Sequence, residues 1–144
     1  KIRKLRRKQY NLFVCHAWRY NWEYDRLLTM LRSVKGFHFR NLSVPKDKGL
    51  RTRGSRELLW ELEGQIKLAT VVVVLSGMYV AHSDWIQAEI QIAQQYDKPI
   101  LGVRPRGSVR MPTAVESAAN HVAGWNTQSI VEGIRWLAND LYPE

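Results

Sequence analysis

The sequence contains a single cysteine, Cys15, among its 144 residues. One cysteine cannot form a disulfide within the chain, and low cysteine use is typical of proteins in a reducing compartment, so we expect a cytoplasmic protein. The histidines, His16, His38, His82 and His121, lack the spacing of zinc ligands. We therefore expect neither an internal disulfide nor a bound metal.

Long apolar runs and glycine-rich phosphate loops are missing as well. No stretch approaches the ~20 apolar residues that a membrane-spanning helix needs, and no signal-peptide pattern is present. The sequence contains neither G-x-x-x-x-G-K-[ST] nor G-x-G-x-x-G, the two loops that cradle phosphates in many nucleotide-binding proteins. Helix-turn-helix, zinc-finger and aromatic RNA-binding motifs are also missing. We therefore expect no membrane span and no specific binding of nucleic acid.

Acidic residues are few, with 13 Asp and Glu against 22 Lys and Arg, so the net charge is +9. Residues 1–8 carry +6 of this charge, which leaves +3 for residues 9–144. We therefore divide the chain into a basic N-terminal arm, residues 1–9, and one domain, residues 10–144. An arm of this kind can contact nucleic acid, anionic lipid or an acidic partner, or it can be a solvated end.

Strand-like and helix-like segments alternate along the domain. Apolar, β-prone segments predict strands at residues 10–15, 37–43, 71–75, 100–103 and 121–124. Helical periodicity and capping residues predict helices at about residues 21–33, 55–68, 84–96, 113–119 and 126–141. Residues 71–75 form a continuous apolar run, which is typical of a central parallel strand that is buried on both faces.

This alternation predicts an α/β fold, a parallel sheet with helices on both faces. Between the flavodoxin-like and Rossmann-like strand orders, the chain length and the five strands favour the flavodoxin-like order 2-1-3-4-5. Ligands of such sheets bind beyond the carboxyl ends of the strands, where residues 15–20, 43–48 and 76–89 should meet. A response-regulator receiver is excluded, because it needs aspartates where this chain has Cys15-His16 and Ser76-Gly77.

The stretch Ser83–Glu89 follows the most apolar predicted strand. Asp84 and Gln87 have capping-box spacing and mark the start of a helix. Trp85 and Glu89 are four residues apart and share one face of that helix. An apolar row that we expect to pack on the sheet comprises Ile86, Ile90 and Ala93. Spacing alone leaves two interpretations open: a carboxylate beside an indole in a ligand site, or a solvated glutamate beside a core tryptophan.

Two predicted loops concentrate positive charge. Residues 45–56 carry a net +4 and should border the ligand edge, where they could attract a pyrophosphate. Arg104, Arg106 and Arg110 surround the loop after the fourth strand. An ordinary solvated surface is the alternative for both loops. A nucleophilic pair of Cys15 and His16 is disfavoured, because successive side chains of a strand point to opposite faces.

Four segments in this order carry a family resemblance. They are YNLFVCHAW at residues 10–18, NLSVPKD at 41–47, SDWIQAE at 83–89 and GWNT at 124–127. The third contains the W-x-x-x-E pattern of enzymatic TIR domains, and each lies on the expected strand, helix or loop. Together they resemble the TIR-like domains of the Thoeris anti-phage defence family, over residues 10 to about 137.

The resemblance implies that NAD+ is the substrate, with no separate cofactor, and that the bond between nicotinamide and ribose is cleaved. It implies Glu89 as the catalytic residue. The substrate-binding residues that it implies are His16, Ala17, Trp18, Ser43, Val44, Pro45, Lys46 and Trp85. It also implies cyclisation of the ADP-ribose to a diffusible messenger that activates a separate effector protein, self-association of the active enzyme, and a phage-derived trigger.

A single carboxylate suits this chemistry. Nicotinamide leaves as a neutral molecule from a cationic linkage, so the leaving group needs no general acid. A carboxylate can stabilise the oxocarbenium-like transition state, hold ribose hydroxyls or act as nucleophile. Trp85 or Trp18 could stack on a nicotinamide or adenine ring.

The sequence departs from many TIR domains at two places. Cys15, His16 and Ala17 stand where serine or aspartate is common, and the loop at residues 43–46 lacks the acidic-then-Pro-Gly form of adaptor TIR domains. Both differences favour the Thoeris-type group. Two other functions stay open: a non-catalytic interaction module, and another nucleotide-processing enzyme such as a nucleoside transferase with a glutamate nucleophile.

Overall fold

The computed structural model describes residues 9–15, 22–43, 55–78, 83–107 and 109–139. The strands are β1 Gln9–Cys15, β2 His38–Asn41, β3 Val71–Leu75, β4 Ile100–Val103 and β5 His121–Ala123. The helices are α1 Trp22–Arg32, α2 Ser55–Leu68, α3 Ser83–Gln95, α4 Thr113–Ala118 and α5 Thr127–Leu137. A 3-10 turn, Ser76–Met78, follows β3. The predicted basic arm up to residue 8 and the predicted basic loop at residues 45–54 lie outside the described residues.

The sheet has the predicted flavodoxin-like order, β2-β1-β3-β4-β5, and its strand pairs are all parallel. β3 lies at the centre, and all five of its residues, VVVVL, are buried. In the register, Cys15 at the end of β1 lies opposite Val74 of β3. The carboxyl ends of β1 and β3 therefore meet at one edge, where this fold class binds ligands.

Alternating side chains divide the core into two layers, one on each face of the sheet. Phe13, Cys15, Val72 and Val74 face α2, α3 and α4. Leu12, Val14, Val71, Val73 and Leu75 face α1 and α5. This period of two is the pleat of the strands, and it confirms helices on both faces. None of the described helices is long and apolar enough to cross a membrane.

Several element ends differ from the sequence predictions by one or a few residues. β1 begins at Gln9, which pairs with His38, one residue earlier than expected. β2 ends at Asn41 rather than Ser43. Beyond that point the Ser43 hydroxyl takes the place of a backbone partner for β1. It accepts from Val14 N–H at 3.0 Å and donates to Val14 C=O at 3.3 Å. This pairing holds the chain beside β1 after regular sheet geometry has ended.

Two predicted helix starts have different outcomes. Asn126 caps α5 as expected, since its side chain accepts from Ser129 N–H at 2.8 Å. α3 begins at Ser83, so Asp84 lies in the first turn and not at the N-cap that the capping-box spacing predicted. An acidic residue in the first turn still favours the helix, because it faces the positive end of the helix dipole.

Candidate active site

Glu89 lies on the face of α3 that packs against the sheet. Ile86, Ile90 and Ala93 form the predicted apolar row and are fully buried. Glu89 is three residues after Ile86 and one before Ile90, so it belongs to the same row, and it is 2% exposed. The interpretation of Glu89 as a solvated helix residue is therefore wrong. The i, i+3, i+7 spacing of residues 86, 89 and 93 was the sequence signal for this burial.

The buried Glu89 carboxyl is only partly satisfied. Its Oε1 atom has no hydrogen-bond partner within the part of the chain that the structure describes. The Cys15 thiol of β1 lies within hydrogen-bonding reach of the carboxyl. Burial raises the pKa of Glu89 well above its ordinary value of 4.5, and the hydrogen bond with Cys15 acts in the opposite direction. A proton is therefore held on Glu89 well above the pH at which an exposed glutamate loses it.

The neighbouring thiol responds to the same environment. Cys15 is fully buried, and burial is the largest cause that raises its pKa well above 9.0. The charge of Glu89 and the hydrogen bond to it raise the pKa of Cys15 further. Cys15 therefore stays a neutral thiol beside the carboxyl and is not an activated nucleophile.

Ser76 is a second buried polar residue at this edge of the sheet. It follows β3 directly, is 1% exposed, and its hydroxyl has no hydrogen-bond partner among the residues with described side chains. Val72 and Val74 of β3 face α3, and Ser76 begins the 3-10 turn directly after the strand. Cys15 and Glu89 thus meet on the α3 side of the sheet at its carboxyl edge, and Ser76 follows β3 at the same edge.

Sequence reasoning placed residues 15–20 and 76–89 at the ligand edge, but it did not name Cys15 or Ser76 as a site residue. For Cys15 the available signal is the period-two alternation of β1, which sends its side chain toward α3 together with that of Phe13. Ser76 lies in a turn, where this alternation no longer applies. Neither residue type is unusual at the end of a strand, so composition alone gives no indication of this arrangement.

The other predicted site residues have mixed outcomes. Trp85 is half-buried and packs against the core layer of α2 and α3, one turn before Glu89. Ser43 is half-buried and bonded to Val14 of β1. His16, Ala17, Trp18, Val44, Pro45 and Lys46 lie outside the described residues. The structure therefore brings Glu89 to the carboxyl edge of the sheet and gives Ser43 a role in holding β1.

A carboxyl in this position has defined chemical abilities. An oxygen without a partner can accept a hydrogen bond from a ligand hydroxyl, and the ionised group can stabilise an adjacent positive charge. The apolar surroundings strengthen such an interaction because they exclude water. No group of three His, Cys, Asp or Glu side chains capable of holding a metal occurs within the described ranges.

The order β2-β1-β3-β4-β5 defines a flavodoxin-like α/β domain, and its helix after the central strand carries a buried carboxyl. The sequence model of the family described as Thoeris protein ThsB, TIR-like domain, matches residues 13–110. The chain therefore belongs to this family of anti-phage defence proteins. A comparison with curated protein sequences gave no significant match.

Solved structures with similar folds extend over most of the chain. One is the CMP N-glycosidase BcmB of Clostridium botulinum, with 13% identity, a TM-score of 0.52, and coverage of 88% of this chain and 98% of that one. Another is the type II dehydroquinase from Propionibacterium acnes, with 15% identity, a TM-score of 0.51, and coverage of 92% and 99%. Identities this low show the shared fold alone.

Proposed function

We propose that this protein cleaves NAD+ at the bond between nicotinamide and ribose and joins the remaining ADP-ribose into a cyclic messenger. The observation that supports this proposal is the Glu89 carboxyl, which is buried at the ligand edge of the sheet with one oxygen unpaired among the described residues. Family membership supports the setting, anti-phage defence. NAD+ is the substrate in this proposal, and no further cofactor takes part.

Glu89 acts as the carboxylate that stabilises the reacting sugar. The bond between ribose C1′ and the nicotinamide nitrogen breaks, and its electron pair neutralises the pyridinium ring, so nicotinamide leaves uncharged. The carboxylate compensates the positive charge that develops on the ribose. A nucleophilic atom elsewhere in the same ADP-ribose then bonds to C1′, and the proton that this atom loses passes to solvent or to a base.

The raised pKa of Glu89 fits a site that is completed by its substrate. Burial favours the protonated carboxyl, whereas the cationic nicotinamide ring of NAD+ favours the ionised form. Substrate binding therefore promotes proton loss from Glu89, and the negative charge forms where the substrate carries its positive charge. The buried position also keeps water from the ribose, which favours cyclisation over hydrolysis.

The wider role that we propose follows from the family. A phage-derived trigger raises the activity, the enzyme self-associates when active, and the messenger diffuses through the cytoplasm to a separate effector protein. His16, Ala17, Trp18, Val44, Pro45 and Lys46 are proposed as substrate contacts, together with Ser43 and Trp85. Trp85 is half-buried against the core, so its contribution is to shape the wall of the site.

The direct test is Glu89→Gln, with Glu116→Gln as the matched control because Glu116 is exposed on α4. Nicotinamide and cyclic products are measured by mass spectrometry, from purified protein with NAD+ and from cells after phage infection. We expect Glu89→Gln to lower nicotinamide release by about 100-fold or more, because the amide carries no charge. Glu116→Gln should retain the full activity.

Other results would contradict the proposal. Equal nicotinamide release by a folded Glu89→Gln variant would exclude Glu89 as the catalytic carboxylate. Equal protection of cells from phage by that variant would favour the non-catalytic interaction module. CMP belongs in the assay as a second substrate, and release of cytosine without release of nicotinamide would identify a nucleotide N-glycosidase instead.

A further inference from the structure

A second cleft lies at the same edge of the sheet but on the opposite face from Glu89. It has a volume of about 410 Å³ and lies between the start of α1, the start of α5 and the loop after β4. Its lining includes Trp22, Arg26, Arg106, Trp125 and Thr127. This volume is within the ~300–1,000 Å³ that is usual for small-molecule sites. The proposed reaction at Glu89 uses none of these residues.

Two indoles give the cleft an aromatic surface. The rings of Trp22 and Trp125 are stacked, with their centroids 6.3 Å apart and their planes inclined by 26°. Trp22 is 43% exposed, so part of its indole surface at the mouth of the cleft is open to a ligand. Aromatic side chains stack with nucleic-acid bases of any sequence, because every base has a π-face.

Positive charge lies beside these rings. The Arg106 guanidinium is 4.5 Å from the centroid of the Trp22 ring, which fixes its position over that indole. Arg26 lines the same cleft one turn further along α1. Two guanidinium groups near one another are suited to the oxygens of a phosphate, which they can bind in a bidentate manner.

The start of α5 adds to the positive field of the cleft. Thr127 lines the cleft and is the first residue of this eleven-residue helix, so the positive end of the helix dipole faces the ligand space. Asn126 caps the helix by accepting from Ser129 N–H. The helix start, Arg26 and Arg106 therefore favour an anion together.

Glu23 of α1 follows the lining residue Trp22 and carries a negative charge near Arg106. Its carboxylate lies against Gly77, where a Cβ atom would collide with it. Burial raises the pKa of Glu23, and the charge of Arg106 opposes that shift. Glu23 and Arg106 therefore attract one another, and Arg26 adds a second positive charge to the lining of the cleft.

We infer that this cleft binds a nucleoside diphosphate. The base stacks on the exposed indole surface, and the diphosphate lies between Arg26, Arg106 and the start of α5. The inference rests on these residues alone and is independent of the chemistry proposed for Glu89. The diphosphate can belong to the ADP half of NAD+ or to a separate nucleotide, and the two sources differ in a competition experiment.

The test uses isothermal titration calorimetry with ADP and the full chain. Variants are Arg106→Gln and Arg26→Gln, and the matched control is Arg110→Gln, because Arg110 is an exposed arginine of the same loop that does not line the cleft. We expect each of the first two changes to weaken ADP binding by about 10- to 100-fold, through the loss of charge-assisted hydrogen bonds. Arg110→Gln should bind ADP as the parent protein does.

Glu89→Gln separates this inference from the proposed function. We expect that variant to bind ADP with unchanged affinity, and NAD+ can be added to it without being consumed. Displacement of ADP by NAD+ would assign the cleft to the ADP half of the substrate, whereas no displacement would assign it to a separate nucleotide. Both results support a nucleotide cleft. If the parent protein cleaves no NAD+ either when purified or in phage-infected cells, the proposed function fails, whereas Arg106-dependent ADP binding would still support the cleft.

Three results would overturn the inference. The first is no binding of ADP to the parent protein at millimolar concentration. The second is equal binding by folded Arg106→Gln and Arg26→Gln variants, as judged by circular dichroism. The third is a loss of ADP binding in Glu89→Gln as large as that in Arg106→Gln, because it would place the nucleotide on the other face of the sheet.

Discussion

A glutamate in an apolar row is costly for a fold. Glu89 is 2% exposed among isoleucine and alanine side chains, and one of its oxygens has no partner among the described residues. A buried polar group without a partner typically destabilises a protein by ~1–3 kcal/mol. The stability of this domain would benefit from an apolar residue at this position. Groups of this kind are concentrated at functional sites, where the unused hydrogen-bonding capacity serves a ligand.

The burial of Glu89 predicts a pH-dependent stability difference between Glu89→Gln and the parent protein. The folded protein binds more protons than the unfolded chain above pH 4.5, because the pKa of Glu89 is raised by folding. The contribution of Glu89 to the free energy of unfolding therefore decreases as the pH rises from 4.5 through the raised pKa. The uncharged amide of the glutamine variant does not titrate and has no such loss. The stability of the variant relative to the parent should therefore rise as the pH is raised from 4.5 to 8.

Urea unfolding at half-unit steps of pH measures this difference. Glu116→Gln is again the control, and its free energy of unfolding should follow the parent at every pH because Glu116 is exposed. A constant gap between Glu89→Gln and the parent from pH 4.5 to pH 8 would show that Glu89 is not held in its protonated form.

At the scale of elements, the close packing of α5 against the sheet determines where the start of α5 lies in the second cleft. α5 approaches β4 closely because Gly133 faces Leu101 without a side chain between them. A Cβ atom at Gly133 would be 2.8 Å from Leu101 Cδ1 and 3.2 Å from His121 Cδ2. This close packing fixes α5 against the sheet, and the start of α5 lines the Trp22–Trp125 cleft.

Two glycine-to-alanine substitutions in helices should have opposite effects on stability. Gly133→Ala overpacks the contact with the buried Leu101, which should cost ~1–3 kcal/mol and exceed the gain in helix propensity. Gly64→Ala in α2 meets nothing within 4 Å, so it should stabilise the protein by ~0.5–1 kcal/mol. Chemical denaturation of both variants measures the signs. Stabilisation by Gly133→Ala would show that α5 can move away from the sheet at little cost.

At the scale of the whole molecule, one sheet separates two candidate sites. The candidate active site contains Glu89 of α3, whereas the Trp22–Trp125 cleft is lined by residues of α1 and of the start of α5. Both lie at the carboxyl edge, because in a parallel sheet the loops that follow the strands all emerge there. Loops at this edge can therefore contribute to either site.

The proposed self-association belongs to this scale and predicts that activity depends on protein concentration. If one subunit completes the site of its neighbour, the specific activity should rise with protein concentration until association is saturated. Nicotinamide release per mole of protein is measured over a hundredfold range of concentration, alongside light scattering. A specific activity that stays constant while the scattering mass rises would show that each subunit carries a complete site.

The sequence by itself determined the class of fold and pointed to the edge of the sheet where the candidate site lies. The VVVVL run of β3, the alternation of strands with helices and the chain length were sufficient for a five-stranded parallel sheet of order 2-1-3-4-5. These patterns are local, and hydrophobic periodicity follows directly from helix and strand geometry. The W-x-x-x-E segment also selected Glu89, although its spacing left a solvated side chain open as the alternative.

Tertiary structure alone decided what surrounds Glu89 and which distant residues share the second cleft. Cys15 and Glu89 are 74 positions apart, and Trp22 and Trp125 are 103 apart, so no local pattern relates either pair. Their proximity follows from the strand order and the packing of α1, α3 and α5 on opposite faces of the sheet. The raised pKa of Glu89 has the same origin, because desolvation depends on the complete packed layer.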